Sequence, residues 1–99
     1  MFKVSNDPRV DREIRFLPRK DSARIVRAIE FFKENGFDLT ELYLKKLTRN
    51  LWELRTGKWR LLFGLVKKEA IIVNLFLKKT QKTPKKEIKL ALQRLKEYL

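Results

Sequence analysis

The chain contains no cysteine and no histidine. Without cysteine there is no disulfide and no thiolate site, and without histidine the commonest metal ligand and the commonest neutral-pH general base are both missing. A zinc enzyme and a histidine-based triad are thereby set aside, and no metal or other cofactor is expected. With three glycines and three prolines in 99 residues, the sequence shows no linker, repeat or low-complexity tract. No window approaches the roughly 20 apolar residues of a membrane span, and the opening Phe2-Lys3-Val4-Ser5-Asn6-Asp7 lacks the apolar stretch of a signal peptide. The expected location is the cytoplasm, with no membrane contact.

Acidic residues are the other shortage. Only 12 Asp and Glu stand against 25 Lys and Arg, a net charge of +13. A net charge of about 2 to 8 is enough to keep a small domain soluble. The excess implies attraction to a polyanion, either nucleic acid or an acidic protein. The hydrophobic fraction of 43%, with 7 Phe, 2 Trp and 2 Tyr, is that of a folded globule. The length suits one domain, residues 1–99, around one core.

A short strand at Phe2 to Val4, a turn at Asn6-Asp7-Pro8 and a short helix through Arg15 are expected first. Pro18 then opens a helix in which Ile25, Ala28, Ile29 and Phe32 recur at helical spacing until Asn35-Gly36 ends it, with Arg19, Lys20, Arg24 and Arg27 toward solvent. The leucines at 39, 42, 44 and 47 fit neither period, so residues 37–50 read as irregular with one possible helical turn. From Leu51 the pattern alternates through LWELR, KWRLLFGLV and EAIIVNLFL, three antiparallel strands in a meander. Thr83 as N-cap and Pro84 as first residue begin a final helix carrying Ile88, Ala91, Leu92, Leu95 and Leu99. The fold class is α+β: a helical N-terminal half on an antiparallel meander, followed by a C-terminal helix.

If Thr56-Gly57 forms a two-residue hairpin loop, Arg55 faces Lys58, Glu53 faces Arg60 and Leu51 faces Leu62. Alternation sends Trp52, Leu54, Trp59, Leu61, Phe63 and Leu65 toward the Pro18–Asn35 helix, so both tryptophans read as core. It sends Glu53, Arg55, Lys58 and Arg60 to the opposite face. A tight turn at Lys67-Lys68 adds Lys79 to that face, with Lys78 opposite unless the strand has ended. Such a cluster can grip adjacent phosphates, Arg guanidinium groups matching phosphate oxygens. Arg and Lys on the solvent side of a sheet are equally common as ordinary surface, and the pattern by itself leaves both readings open. Tyr98 reads as packing or surface. The basic outer face of the last helix, including Lys85 and Lys86, reads as solvated or as a phosphate track.

Three segments, LWELR at 51–55, WRLLF at 59–63 and FLKKTQKTP at 76–84 followed by a helix, resemble the RelE/ParE toxin superfamily, in particular its phage-derived, HigB-like branch. The likeness spans roughly residues 17–95. It implies a RelE-like fold and the toxin of a type II toxin-antitoxin system, a ribosome-dependent endoribonuclease that cuts mRNA and inhibits translation. By motif, Arg55 and Arg60 become the strand arginines and Lys78 or Lys79 the cation after the last strand, with Glu53 the remaining carboxylate for proton transfer. Lys58, Gln81, Lys82, Lys85 and Lys86 become RNA contacts. Many relatives carry a His or Tyr near the sheet end, and this chain has neither there. The resemblance also implies a cognate antitoxin with a helix-turn-helix domain, through which operator DNA is reached. A gyrase-poisoning toxin of the same fold and a non-catalytic nucleic-acid-binding module are the competing readings.

Overall fold

Residues 2–99 are described by a computed structural model, so Met1 of the expected 1–99 span lies outside the described residues. Strand β1 covers Val4–Asn6, slightly later than the sequence suggests. Asp7 then caps helix α1, Pro8–Phe16, its Oδ1 accepting from the Arg9 amide at 2.8 Å. Helix α2, Arg19–Asn35, starts after Pro18 and stops at Gly36, whose φ of 56° suits a residue without Cβ. A 3-10 turn at Gly36–Asp38 leads to strand β2, Leu44–Thr48. Strands β3 (Leu51–Thr56), β4 (Trp59–Val66) and β5 (Glu69–Leu77) follow, and helix α3 covers Lys85–Lys96.

Strand β2 corrects the reading of residues 37–50 as irregular. Leu44 is buried in the core below α2, Leu47 packs on the other side of the sheet, and the register with β3 shifts between Lys46 and Thr48. Ordinary strand alternation places these two leucines, three positions apart, on opposite faces, and with Lys45, Lys46 and Thr48 exposed around them the edge strand shows no apolar stripe.

The sheet has five strands in the order β1-β5-β4-β3-β2, all neighbours antiparallel except β1 with β5. Helices α1 and α2 cover one face, burying Val10, Ile25, Ile29 and Phe32 against Leu54, Leu61, Phe63 and Ile72. Trp52 and Trp59 pack at the margin of this core, as their parity requires. Trp52 stacks on Phe63 at 5.7 Å, and Trp59 Nε1 donates to Asp21 Oδ1 at 3.4 Å. Helix α3 covers the other face, its Ala91 and Leu95 set on Leu51, Leu62, Ile71 and Val73.

Two register details differ from expectation and decide the geometry of the site. Thr56 pairs with Trp59, Arg55 with Arg60 and Glu53 with Leu62, so the loop is Gly57-Lys58 and not Thr56-Gly57. A β-branched threonine extends the strand, and glycine takes the first loop position with φ 57°. In β5, Phe63 pairs with Ile72 but Leu62 pairs with Asn74, leaving Val73 as an extra residue. The bulge is held from α3: Arg94 Nη1 donates to the Val73 carbonyl at 2.9 Å, and Asn74 Nδ2 donates to Glu87 Oε1 at 3.0 Å. Beyond it the alternation of β5 is inverted.

The end of α3 is tied to the start of α1. Tyr98 donates to Asp7 Oδ2 at 2.6 Å, and Arg9 bridges Asp7 and Glu97 at 2.8 and 2.9 Å. Tyr98 is therefore a packing residue with a polar anchor. The Arg9 guanidinium, opposed by burial, holds the Asp7 carboxyl well below the usual carboxylate range. A lowered folded-state pKa adds stability above the unfolded value, and that part is lost as pH falls below the ordinary carboxylate range.

Gly64 of β4 marks the closest approach of α3. A Cβ there would strike the Leu95 Cδ atoms and stand 2.7 Å from the Asn50 carbonyl oxygen. Gly64→Ala is expected to lower stability by about 1–3 kcal/mol, read from the urea midpoint at unchanged slope.

Candidate active site

The floor of the site is Glu53, a carboxylate with no solvent exposure on the α3 face of β3. Taking such a group from water is tolerable only if it is paired and hydrogen-bonded. Arg55 Nε reaches Glu53 Oε2 at 2.9 Å, Arg60 Nε stands 3.9 Å from the same oxygen, and Thr83 donates its hydroxyl to Oε1. Thr83 was expected to cap α3. Pro84 occupies the N-cap position instead, without a side-chain cap, because the Thr83 hydroxyl is engaged by Glu53.

Arg55 and Arg60 are direct cross-strand partners, 24% and 14% exposed. Arg55 lines the cleft, while Arg60 lies deeper beside it with its Nε buried and, among the described residues, without a hydrogen-bond partner. Arg55 Nη1 is braced by the Glu41 carbonyl at 3.1 Å. Arg60 Nη1 donates to the carbonyls of Gly57 and Trp59 at 2.8 and 2.9 Å. Burial pulls the Arg60 pKa below its ordinary value, with Glu53 opposing and Arg55 adding to the fall.

The inverted parity of β5 puts Phe76 opposite Arg60, and the Lys78 amide continues the ladder to the Lys58 carbonyl at 2.7 Å. Lys78 thereby joins the arginine face, whereas Lys79, expected there from an unbroken alternation, is exposed beyond the strand end. Desolvation lowers the Lys78 pKa. Glu53 opposes this, and repulsion from Arg60, Arg55 and Lys45 reinforces it.

Arg55, Lys78, Lys45, Gln81, Lys82 and Thr83 line one cleft of about 240 Å³. Lys45, which pairs with Glu53 across β2–β3, was missed from sequence because its strand was not recognised. The signal available was the Leu44-Lys45 step beside the LWELR strand. Lys58 projects from the hairpin turn, while Lys85 and Lys86 stand exposed on the first turn of α3. None of these three lines the cleft. The arrangement offers fixed guanidinium groups and a desolvated ammonium to a charge-rich ligand, with no side-chain nucleophile required. Among the described residues no cluster of three or more potential metal-binding side chains occurs.

Residues 12–96 match the family described as phage derived protein Gp49-like (DUF891). No curated protein matches the chain. Three solved structures share its fold. The archaeal RelE-RelB complex from Pyrococcus horikoshii OT3 contains a chain 19% identical, with TM-score 0.65, over 77% of this chain and 93% of that one. The toxin-antitoxin complex RelBE2 from Mycobacterium tuberculosis gives 19% identity and TM-score 0.62 over 78% and 98%. The RelB-RelE antitoxin-toxin complex from Methanococcus jannaschii gives 17% and 0.58 over 73% and 87%. The architecture is thus the RelE-like α+β fold.

Proposed function

From the premise that the chain belongs to the Gp49-like family of phage-derived proteins and carries a RelE-like fold, we propose that it is the toxin of a toxin-antitoxin pair, an endoribonuclease acting on mRNA at the ribosome. The observation that carries this reading is Arg55, the cross-strand partner of Arg60, meeting Lys78 on one cleft above a buried Glu53 that both arginines approach. RNA supplies its own nucleophile. Attack of a 2′-oxygen on the adjacent phosphorus forms the new P–O bond, the P–O5′ bond breaks, and a cyclic phosphate and a 5′-hydroxyl result. Arg55 and Arg60 stabilise the added charge on the phosphoryl oxygens, and Lys78 gives its proton to the departing 5′-oxygen. The proton of the 2′-hydroxyl leaves to solvent.

Glu53 acts as a positioning residue in this scheme, since both its oxygens are engaged by Arg55 and Thr83. Lys79, Lys58, Lys82, Lys85 and Lys86 extend a cationic margin along which the RNA strand lies, with Lys45 added from β2 and the neutral amide of Gln81 as a hydrogen-bonding contact. Among the described residues no helix is long and apolar enough to cross a membrane. Action on ribosomes places the protein in the cytoplasm, with a helix-turn-helix antitoxin as its neutralising partner and link to operator DNA.

The test is inducible expression without a partner, with mRNA 5′ ends mapped as growth slows. New ends inside translated codons, absent when translation is blocked, are expected. Growth arrest with intact mRNA and damaged DNA would transfer the assignment to gyrase poisoning. Undisturbed growth would remove the toxin reading altogether.

A further inference from the structure

On the α2 side of the sheet a second concavity, of about 530 Å³, runs between helix α2 and the edge formed by β2 and β3. Its floor holds two aromatic rings that the core leaves open to solvent. Phe31 and Tyr43 are 44% and 45% exposed and meet edge to face at 5.6 Å. Leu42, immediately before Tyr43, is 77% exposed. Half-exposed aromatics gathered in a concavity are what a partner's apolar side chains bury, and aromatic and arginine side chains dominate the energetics of such contacts.

The groove is electrically polar along its length. At the hairpin end stand Arg24, Arg27 and Arg55, and toward the end of α2 stand Glu30 and Glu34. Arg24 lies over the hairpin turn, its Nη1 2.7 Å from where a Cβ of Gly57 would be. Among the described residues neither Arg24 nor Arg27 is ion-paired. Arg55 borders this groove and the cationic cleft alike.

We propose that the groove is the docking site of an acidic, apolar-striped helix of the antitoxin, which seats its apolar side chains on Phe31 and Tyr43 and its carboxylates against Arg24, Arg27 and Arg55. The inference rests on the toxin reading and adds how that site is silenced. A carboxylate paired with Arg55 occupies the guanidinium that otherwise meets phosphate, so binding beside the cleft takes away an arginine charge that lines it. Charge complementarity selects the occupant: three arginines at one end, on a chain of net charge +13, favour an anionic partner over a second copy of this chain.

The experiment titrates the purified antitoxin encoded beside this chain into the full-length protein and into its Phe31→Asp and Arg27→Glu variants, by calorimetry, with growth arrest by each variant measured in parallel. Both variants are expected to fold and to arrest growth as the parent does, but to bind the antitoxin roughly 30-fold more weakly and to resist its rescue. Lys89→Glu, an exposed change on α3, is expected to leave binding unaltered. Folded groove variants that bind within about twofold of the parent would overturn the docking site while leaving the toxin reading intact. A parent dimer that the groove variants convert to monomer would overturn it in favour of self-association. A parent that neither arrests growth nor binds the antitoxin would overturn the toxin reading, and the inference with it.

Discussion

Lys78→Met is expected to slow mRNA cleavage by about 100-fold or more with little change in melting temperature, because the side chain is only partly buried and, among the described residues, enters no salt bridge. Two roles are combined in this lysine, and they separate by substitution and by pH. As a cation it stabilises the phosphoryl charge, and Lys78→Arg keeps that. As a general acid it must release a proton, and arginine does not do so at accessible pH. Lys78→Arg is therefore expected to recover part of the lost rate and no more. Desolvation, reinforced by Arg60, Arg55 and Lys45, brings the lysine pKa below its ordinary value, which makes the ammonium a better proton donor. An acid must be protonated to act, so cleavage should decline as pH rises through that lowered pKa, and the decline should vanish in Lys78→Arg. Lys79→Met is the paired control, expected to cost a few-fold at most in single-turnover cleavage on ribosomes. If Lys78→Met cleaves within threefold of the parent, the assignment of the proton donor fails.

The contrast between Lys78 and Lys79 also shows where the sequence ceased to be legible. Helices α2 and α3 and strands β3 to β5 follow directly from their apolar periods, and both arginines were placed on the correct face by alternation alone. Alternation counts residues, however, and a bulge adds one without a mark in the apolar pattern. Val73 lies in the run IIVNLFL, apolar at every position but Asn74, so the apolar pattern favours neither face. Only that one polar residue, which unbroken alternation would send into the α2-side core, hints at the inversion. The cause lies outside the strand, in Arg94 and Glu87 of α3, which satisfy the polar groups the bulge exposes. Strand β2, and with it Lys45, was hidden for a different reason: a five-residue edge strand in which only Leu44 is buried carries no apolar alternation to read. The hairpin register was missed for a local reason: Thr-Gly reads as a turn dipeptide, yet threonine's stiff χ1 favours the strand and glycine alone had to leave it.

Arg55→Ala combined with Arg60→Ala, the obvious test of the arginine pair, is expected to destabilise the protein markedly as well as disarm it. Glu53 has no solvent exposure, and its partners are Arg55 Nε at 2.9 Å, Arg60 Nε at 3.9 Å and the Thr83 hydroxyl. Removing both cations leaves a buried carboxylate with a single neutral donor. Breaking a buried ion pair from one side costs roughly 3 kcal/mol or more, enough to lower the melting temperature of a domain this size by more than about 10 °C. Replacing the charge along with its partners separates structure from chemistry. Glu53→Leu added to the double alanine variant fills the site with an apolar side chain of similar bulk and removes the orphaned charge, so thermal stability should return most of the way while cleavage stays absent. Glu53→Leu alone makes the complementary point. It leaves Arg55 and Arg60 charged without their counter-charge, frees Arg55 from its anchor and releases Thr83. Stability should fall, though less than in the double alanine variant because both guanidinium groups keep carbonyl partners and some exposure, and cleavage should fall with the charges present and misplaced. A double alanine variant as stable as the parent would mean that Glu53 is not held by these arginines. A triple variant that regains both stability and cleavage would remove the arginines from the reaction.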